Sequence, residues 1–122
     1  MSVEIAVEPD LIRVTFSGVL TEQDLATIAS AADDIERDRN PVPHRLTNMT
    51  GVTEVKVAYP EVKALANRRR VIPFPNDFKS AIVVGTPVQQ GMARMFQTLN
   101  DNPRIAIRIF EDETSALAWL RE

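Results

Sequence analysis

Few residues of this chain have types and spacings that could do chemistry. Glu54, Glu111 and Asp112 could serve as acids or bases, but no nucleophile or second ligand stands beside them at a catalytic spacing. The sequence has 1 histidine, His44, and 0 cysteines. A histidine metal cluster, a thiolate site, a disulfide and a thiol nucleophile are therefore excluded, and no cofactor is implied. Binding groups are better represented. Gly85 leads into Thr86 and Pro87, a cap and first residue for a helix whose free N–H groups suit an anion. The cap role alone also accounts for Thr86, and the spaced glycines of a phosphate-cradling loop are missing. Arg68, Arg69 and Arg70 close another predicted helix. They either complement its dipole or form a docking patch for an acidic or phosphorylated partner.

The elements that must position these groups read clearly. Ala81, Ile82, Val83 and Val84 form an apolar run suited to a strand covered on both faces. That strand leads directly into the helix opened by Thr86, with Val88, Met92, Met95, Phe96 and Leu99 as its buried stripe. Gly91 within that helix suggests a close approach to the sheet. Residues 3–8 and 11–16 alternate as an antiparallel hairpin that Gly18 ends. Thr21 caps a helix whose buried face carries Leu25, Ile28, Ala29, Ala32 and Ile35. The charges that follow, Asp33, Asp34, Glu36, Arg37, Asp38 and Arg39, read as a solvated helix end. Residues 44–49 make a third strand, with His44 at its start, and Thr50-Gly51 turns out of it into a loop. Tyr59-Pro60 opens the second helix, with Val62, Leu65 and Ala66 inward. Residues 104–110 form an edge strand, and Asp112 caps a last helix.

The expected fold is thus α/β: residues 1–122 as one domain, a single mixed sheet of about five strands with four helices, in the order ββαβαβαβα. In such sheets ligands gather beyond the carboxyl ends of parallel strands. Here that rim would hold Asn48, Thr50 and Gly51 with Gly85 and Thr86. The apolar loop of residues 71–78 has two readings: a cluster over the sheet edge, or, with Ile72 and Phe74 exposed, a partner surface or pocket lid. A net charge of −3 argues against a nucleic-acid partner. No segment reads as a secretory signal or membrane span, so a cytoplasmic location without stable membrane insertion is expected.

Three stretches resemble STAS domains, and more closely their SpoIIAA-like (STAS/SEC14-like) branch. They are Leu46 to Val52, Ala81 to Gly85 before a helix, and Arg108 to Leu120, similar to a closing F-x-D-x-x-x-A-x-x-W-L pattern. The resemblance implies a non-enzymatic regulatory module that binds a protein partner or itself, for which the arginine run and the apolar loop offer Arg68, Arg69, Arg70, Ile72 and Phe74 as contacts. In relatives with a serine phospho-switch the serine follows the third strand. The matching positions here, Lys56, Val57 and Ala58, carry no hydroxyl, so no such switch is expected. The SEC14-like description implies an alternative, a small apolar or anionic ligand, with Met49, Met92, Phe96 and the Phe74 loop around a pocket.

Overall fold

The computed structural model describes residues 3–37 and 39–122. Strand β1 (Val3–Val7) pairs antiparallel with β2 (Leu11–Thr21), as the two alternating runs require. Helix α1 (Glu22–Arg37), strand β3 (His44–Lys56), helix α2 (Tyr59–Arg70), strand β4 (Phe78–Val83), helix α3 (Pro87–Leu99), strand β5 (Ile105–Phe110) and helix α4 (Glu113–Leu120) follow. The sheet is mixed, its 5 strands lie in chain order, and β2 through β5 run parallel. Each parallel step is bridged by a helix, the connection parallel strands demand.

Strand alternation divides the core in two. Ile12, Val14, Phe16, Ile82 and Val84 face Ile28 of α1 and Ala93 of α3. Leu11, Leu46, Ala81 and Val83 face Ala116 and Leu120 of α4. The Ala81–Val84 run is covered on both sides and at most 5 % exposed, as its unbroken apolar character predicts. A third, smaller cluster joins Val42, Phe74, Phe78 and Ile105 at the amino ends of β4 and β5.

Two breaks differ from expectation. Gly18 does not end β2, and Thr50-Gly51 does not turn out of β3; both strands continue together to Thr21 and Lys56. The polar and glycine residues mark bulges instead. The register shifts between Thr15 and Ser17 and again between Gly18 and Val19, so Met49 and Val52, three positions apart, join the same core face. Gly18 takes φ +75, and a Cβ on Gly51 would lie 3.0 Å from the Phe16 carbonyl oxygen, so both bulges need glycine. In α3 the expected stripe rotates: Val88 is 62 % exposed, whereas Gln89 is buried. Gly91 makes no close approach, since a Cβ there meets nothing within 4 Å.

Candidate functional site

At the carboxyl-end rim, Asn48, Thr50, Gly85 and Thr86 come together around Gln89, a residue that sequence reasoning missed. Thr86 caps α3 by accepting from the Gln89 N–H, and the Gln89 side chain completes the capping box. Its Oε1 accepts from Gly85 N at 2.7 Å and Thr86 N at 3.2 Å, while Nε2 donates to the Val52 carbonyl at 2.8 Å. Asn48 Oδ1 accepts from the Thr50 N–H and hydroxyl, and its Nδ2 donates to Glu113 Oε2 at 2.6 Å. Gly51 faces the β2 backbone instead. The Thr50, Gly85, Thr86 and Gln89 amides at this rim are thus bonded to the chain's own side chains.

The opposite part of the helical face is built differently. Along α2, Val62, Ala66 and Arg69 fall on one stripe and all are buried. On α1 the stripe Ile28, Ala32 continues to Glu36, only 7 % exposed. On β3, Arg45 shares a face with Thr47 and Met49, turned toward the helices. These three elements bring Arg45, Arg69 and Glu36 into contact. Arg69 pairs with Glu36 through both terminal nitrogens, and Arg45 Nη2 donates to Glu36 Oε2 at 2.9 Å. The Arg45 Nε is buried with no hydrogen-bond partner among the described residues. Burial, reinforced by the neighbouring Arg69, pushes the Arg45 guanidinium down to about 10 against the pull of Glu36 and Asp33.

The arginine run is therefore split. Arg68 and Arg70 point outward, paired with Asp33 and Asp101, but Arg69 is an interior group lying 5.3 Å from the Phe74 ring centre. The solvated-end reading of the α1 charges fails for Glu36; Asp38 lies outside the described residues. The 71–78 loop covers the sheet edge. Phe74 is 6 % exposed and meets Phe78 edge to face at 4.9 Å, Ile72 is half-buried, and Val71 stands out in solvent.

Beside the arginine pair, between α1, α2, α3 and the sheet, lies an apolar cavity of about 100 Å³. Its walls are mostly aliphatic and aromatic, including Val14, Leu25, Ile28, Met49, Met92 and Phe96, with Arg45, Arg69, Thr47 and Ser80 as the polar contributions. The pocket expected from the sequence includes Met49, Met92 and Phe96, but Phe74 does not line this cavity.

The remaining candidates are accounted for structurally. His44 starts β3, far along the strand from the rim, and its Nδ1 accepts from the Lys79 N–H at 2.9 Å. Burial and the Lys79 charge hold it below its usual value. Asp112 caps α4 through the Ser115 N–H at 2.7 Å, and Glu54 is exposed on β3. Among the described residues no His, Asp or Glu group is placed to hold a metal, and no helix is long and apolar enough to cross a membrane.

A mixed five-stranded sheet in chain order, with three helices on one face and one on the other, defines a STAS-like α/β domain. The SpoIIAA-like family model matches residues 11–121, and the chain belongs to that family. A crystal structure of an uncharacterised DUF3478-family protein from Shewanella loihica PV-4, described as having a SpoIIAA-like fold, superposes with a TM-score of 0.65. The two share 19 % identity over 98 % of this chain and 92 % of that one, a likeness of fold. The crystal structure described as Mglu aligns with a TM-score of 0.42 and 12 % identity, covering 90 % of this chain and 19 % of that one. No curated protein matches this chain.

Proposed function

We propose that this SpoIIAA-like domain is a non-enzymatic binding module whose ligand is a small, largely apolar molecule held between the helices and the sheet. The observation that supports this is the cavity of about 100 Å³ with apolar walls, placed where three helices meet the sheet. An all-apolar cavity of roughly 150 Å³ stays dry and binds benzene or xenon, and the aliphatic and aromatic part of this wall is of that kind. Met49 and Met92 in its wall have flexible side chains that can repack around a guest. The supported location is the interior of the helical face rather than the rim, where Gly85 and Thr86 amides are already bonded. Native mass spectrometry on gently purified protein tests the reading. A retained small molecule is the expected result. A bare chain that also takes up no short-chain probe would refute it.

A second reading is the regulatory protein-interaction module that the family suggests. It is favoured by apolar groups on the outer side of α2 and just beyond its end, with Tyr59 51 % exposed and Val71 72 % exposed. Arg68 and Arg70 add exposed charges to α2, while Arg69 and Phe74 are buried and Ile72 is half-buried, so a partner would not reach the first two directly. Light scattering and pull-downs with Tyr59→Ser and Val71→Ser variants test it. Loss of a partner or of self-association in those variants supports the reading, and a strict monomer without partners refutes it.

A further inference from the structure

We propose that Arg45 makes the cavity selective for an anionic head, so that its ligand is a compact amphiphile: an aliphatic or aromatic tail ending in a carboxylate. This rests on the ligand-binding reading above and adds the chemistry of the ligand's polar end.

The charge count in this corner is the starting point. Arg45 and Arg69 both line the cavity, and Glu36 is the carboxylate bonded to both. Two guanidiniums share one buried carboxylate, and the further anion acting on Arg45 is Asp33, 21 % exposed, with Oδ1 buried and without a hydrogen-bond partner among the described residues. Asp33 lies close enough to stabilise the charged Arg45, but its own ion pair is with the exposed Arg68. Burial and the neighbouring Arg69 lower the proton affinity of Arg45 despite the pull of Glu36 and Asp33.

Hydrogen bonding leads to the same place. Guanidinium carries five N–H donors in a fork that matches a carboxylate. Arg45 directs Nη2 at Glu36, yet its Nε has no partner among the described residues. An unmade bond from a charged, buried donor is costly, and an anionic head brought in by a ligand would relieve it. Thr47 and Ser80 also line the cavity, with Ser80 opposite Arg45 in the β3–β4 register. Everything else in the wall suits a tail.

The test compares hexanoate with 1-hexanol, which share a tail and differ in the head. Each is titrated calorimetrically into the full chain near neutral pH. Hexanoate should bind at least about tenfold more tightly, the usual gain from a hydrogen bond to a charged group. Within the carboxylate series from butanoate upward, affinity should rise about fourfold per methylene until the cavity is filled. Arg45→Met should reduce hexanoate to the level of hexanol, and Arg45→Lys should retain part of the preference. Ala29→Leu, which fills the cavity and leaves the charges in place, should abolish uptake of both.

Hexanol binding as tightly as hexanoate would overturn the anionic-head assignment and leave the cavity reading standing. Failure of both to bind would overturn both. Hexanoate binding that survives Ala29→Leu would place the anion elsewhere and also overturn the assignment. Should Arg45→Met fail to fold, the two probes on the unaltered chain still decide the matter.

Discussion

The rim and the arginine corner use their polar side chains to opposite ends. At the rim, Gln89 satisfies Gly85, Thr86 and Val52 together, and Asn48 is shared between Thr50 and Glu113. In the arginine corner, one carboxylate serves two guanidiniums and the Arg45 Nε is left over. The first arrangement is closed: its groups hold α3 to β3 and have little left for a ligand. The second keeps an unused donor beside apolar space. A helix start with the right residue types is therefore weaker evidence for a site than a buried polar group without a partner.

Glu36→Gln should have the largest effect of the substitutions that probe this contrast. It removes the anion from beneath two buried cations, and losing one partner of a buried pair costs about 3–5 kcal/mol. Urea unfolding should report that loss; a change below about 1 kcal/mol would mean that the corner is already solvated.

Gln89→Ala should rank second. It orphans the Gly85 and Thr86 amides and the Val52 carbonyl and dissolves the capping box, for a loss of about 2–3 kcal/mol. Its hexanoate affinity should stay within about twofold of the unaltered chain, because the rim lies outside the cavity. Lost uptake in a folded Gln89→Ala protein would erase the distinction between the two regions.

Gly91→Ala should act in the opposite direction. The position is helical and exposed, with open space for a Cβ, so the substitution should stabilise by up to about 1 kcal/mol without touching either region.

The smallest effect concerns pH. His44 is held below its usual value by burial and Lys79, so its neutral form is favoured in the fold. Near its ordinary value the unfolded chain binds more protons, so this contribution is fully present above about pH 6.5 and fades as pH falls through the lower folded value. His44→Gln should flatten that acid-side slope in urea midpoints by well under about 1 kcal/mol, given solvent screening of a half-exposed side chain. An unchanged slope would assign the pH response to other groups.

Much of the scaffold was legible because periodicity dominates it. The alternating hairpin, the buried Ala81–Val84 run and the capped starts at Thr86 and Asp112 are local signals that tertiary contacts reinforce. The bulges were not, because Thr50-Gly51 in isolation has the chemistry of a turn. Only pairing with β2 makes it part of a strand. The arginine corner was hidden for a related reason. Glu36 stands four positions beyond Ala32, and Arg69 three beyond Ala66, so both continue their helices' buried stripes. Read as members of charge runs, they look solvated; read by face, they point inward, with Arg45 alternating into the same space. In α3 the choice of Val88 over Gln89 followed hydrophobicity, but rim hydrogen bonding turned the helix the other way.

Methyl NMR of the methionines during a hexanoate titration tests the central claim most directly. Met49 and Met92 line the cavity, whereas Met95 sits on the same helix as Met92 outside it. Saturable shifts at Met49 and Met92 with Met95 unmoved, lost in Ala29→Leu, are the predicted outcome. Silent methyls at all three positions, or equal movement of Met95, would contradict an internal anion-headed ligand.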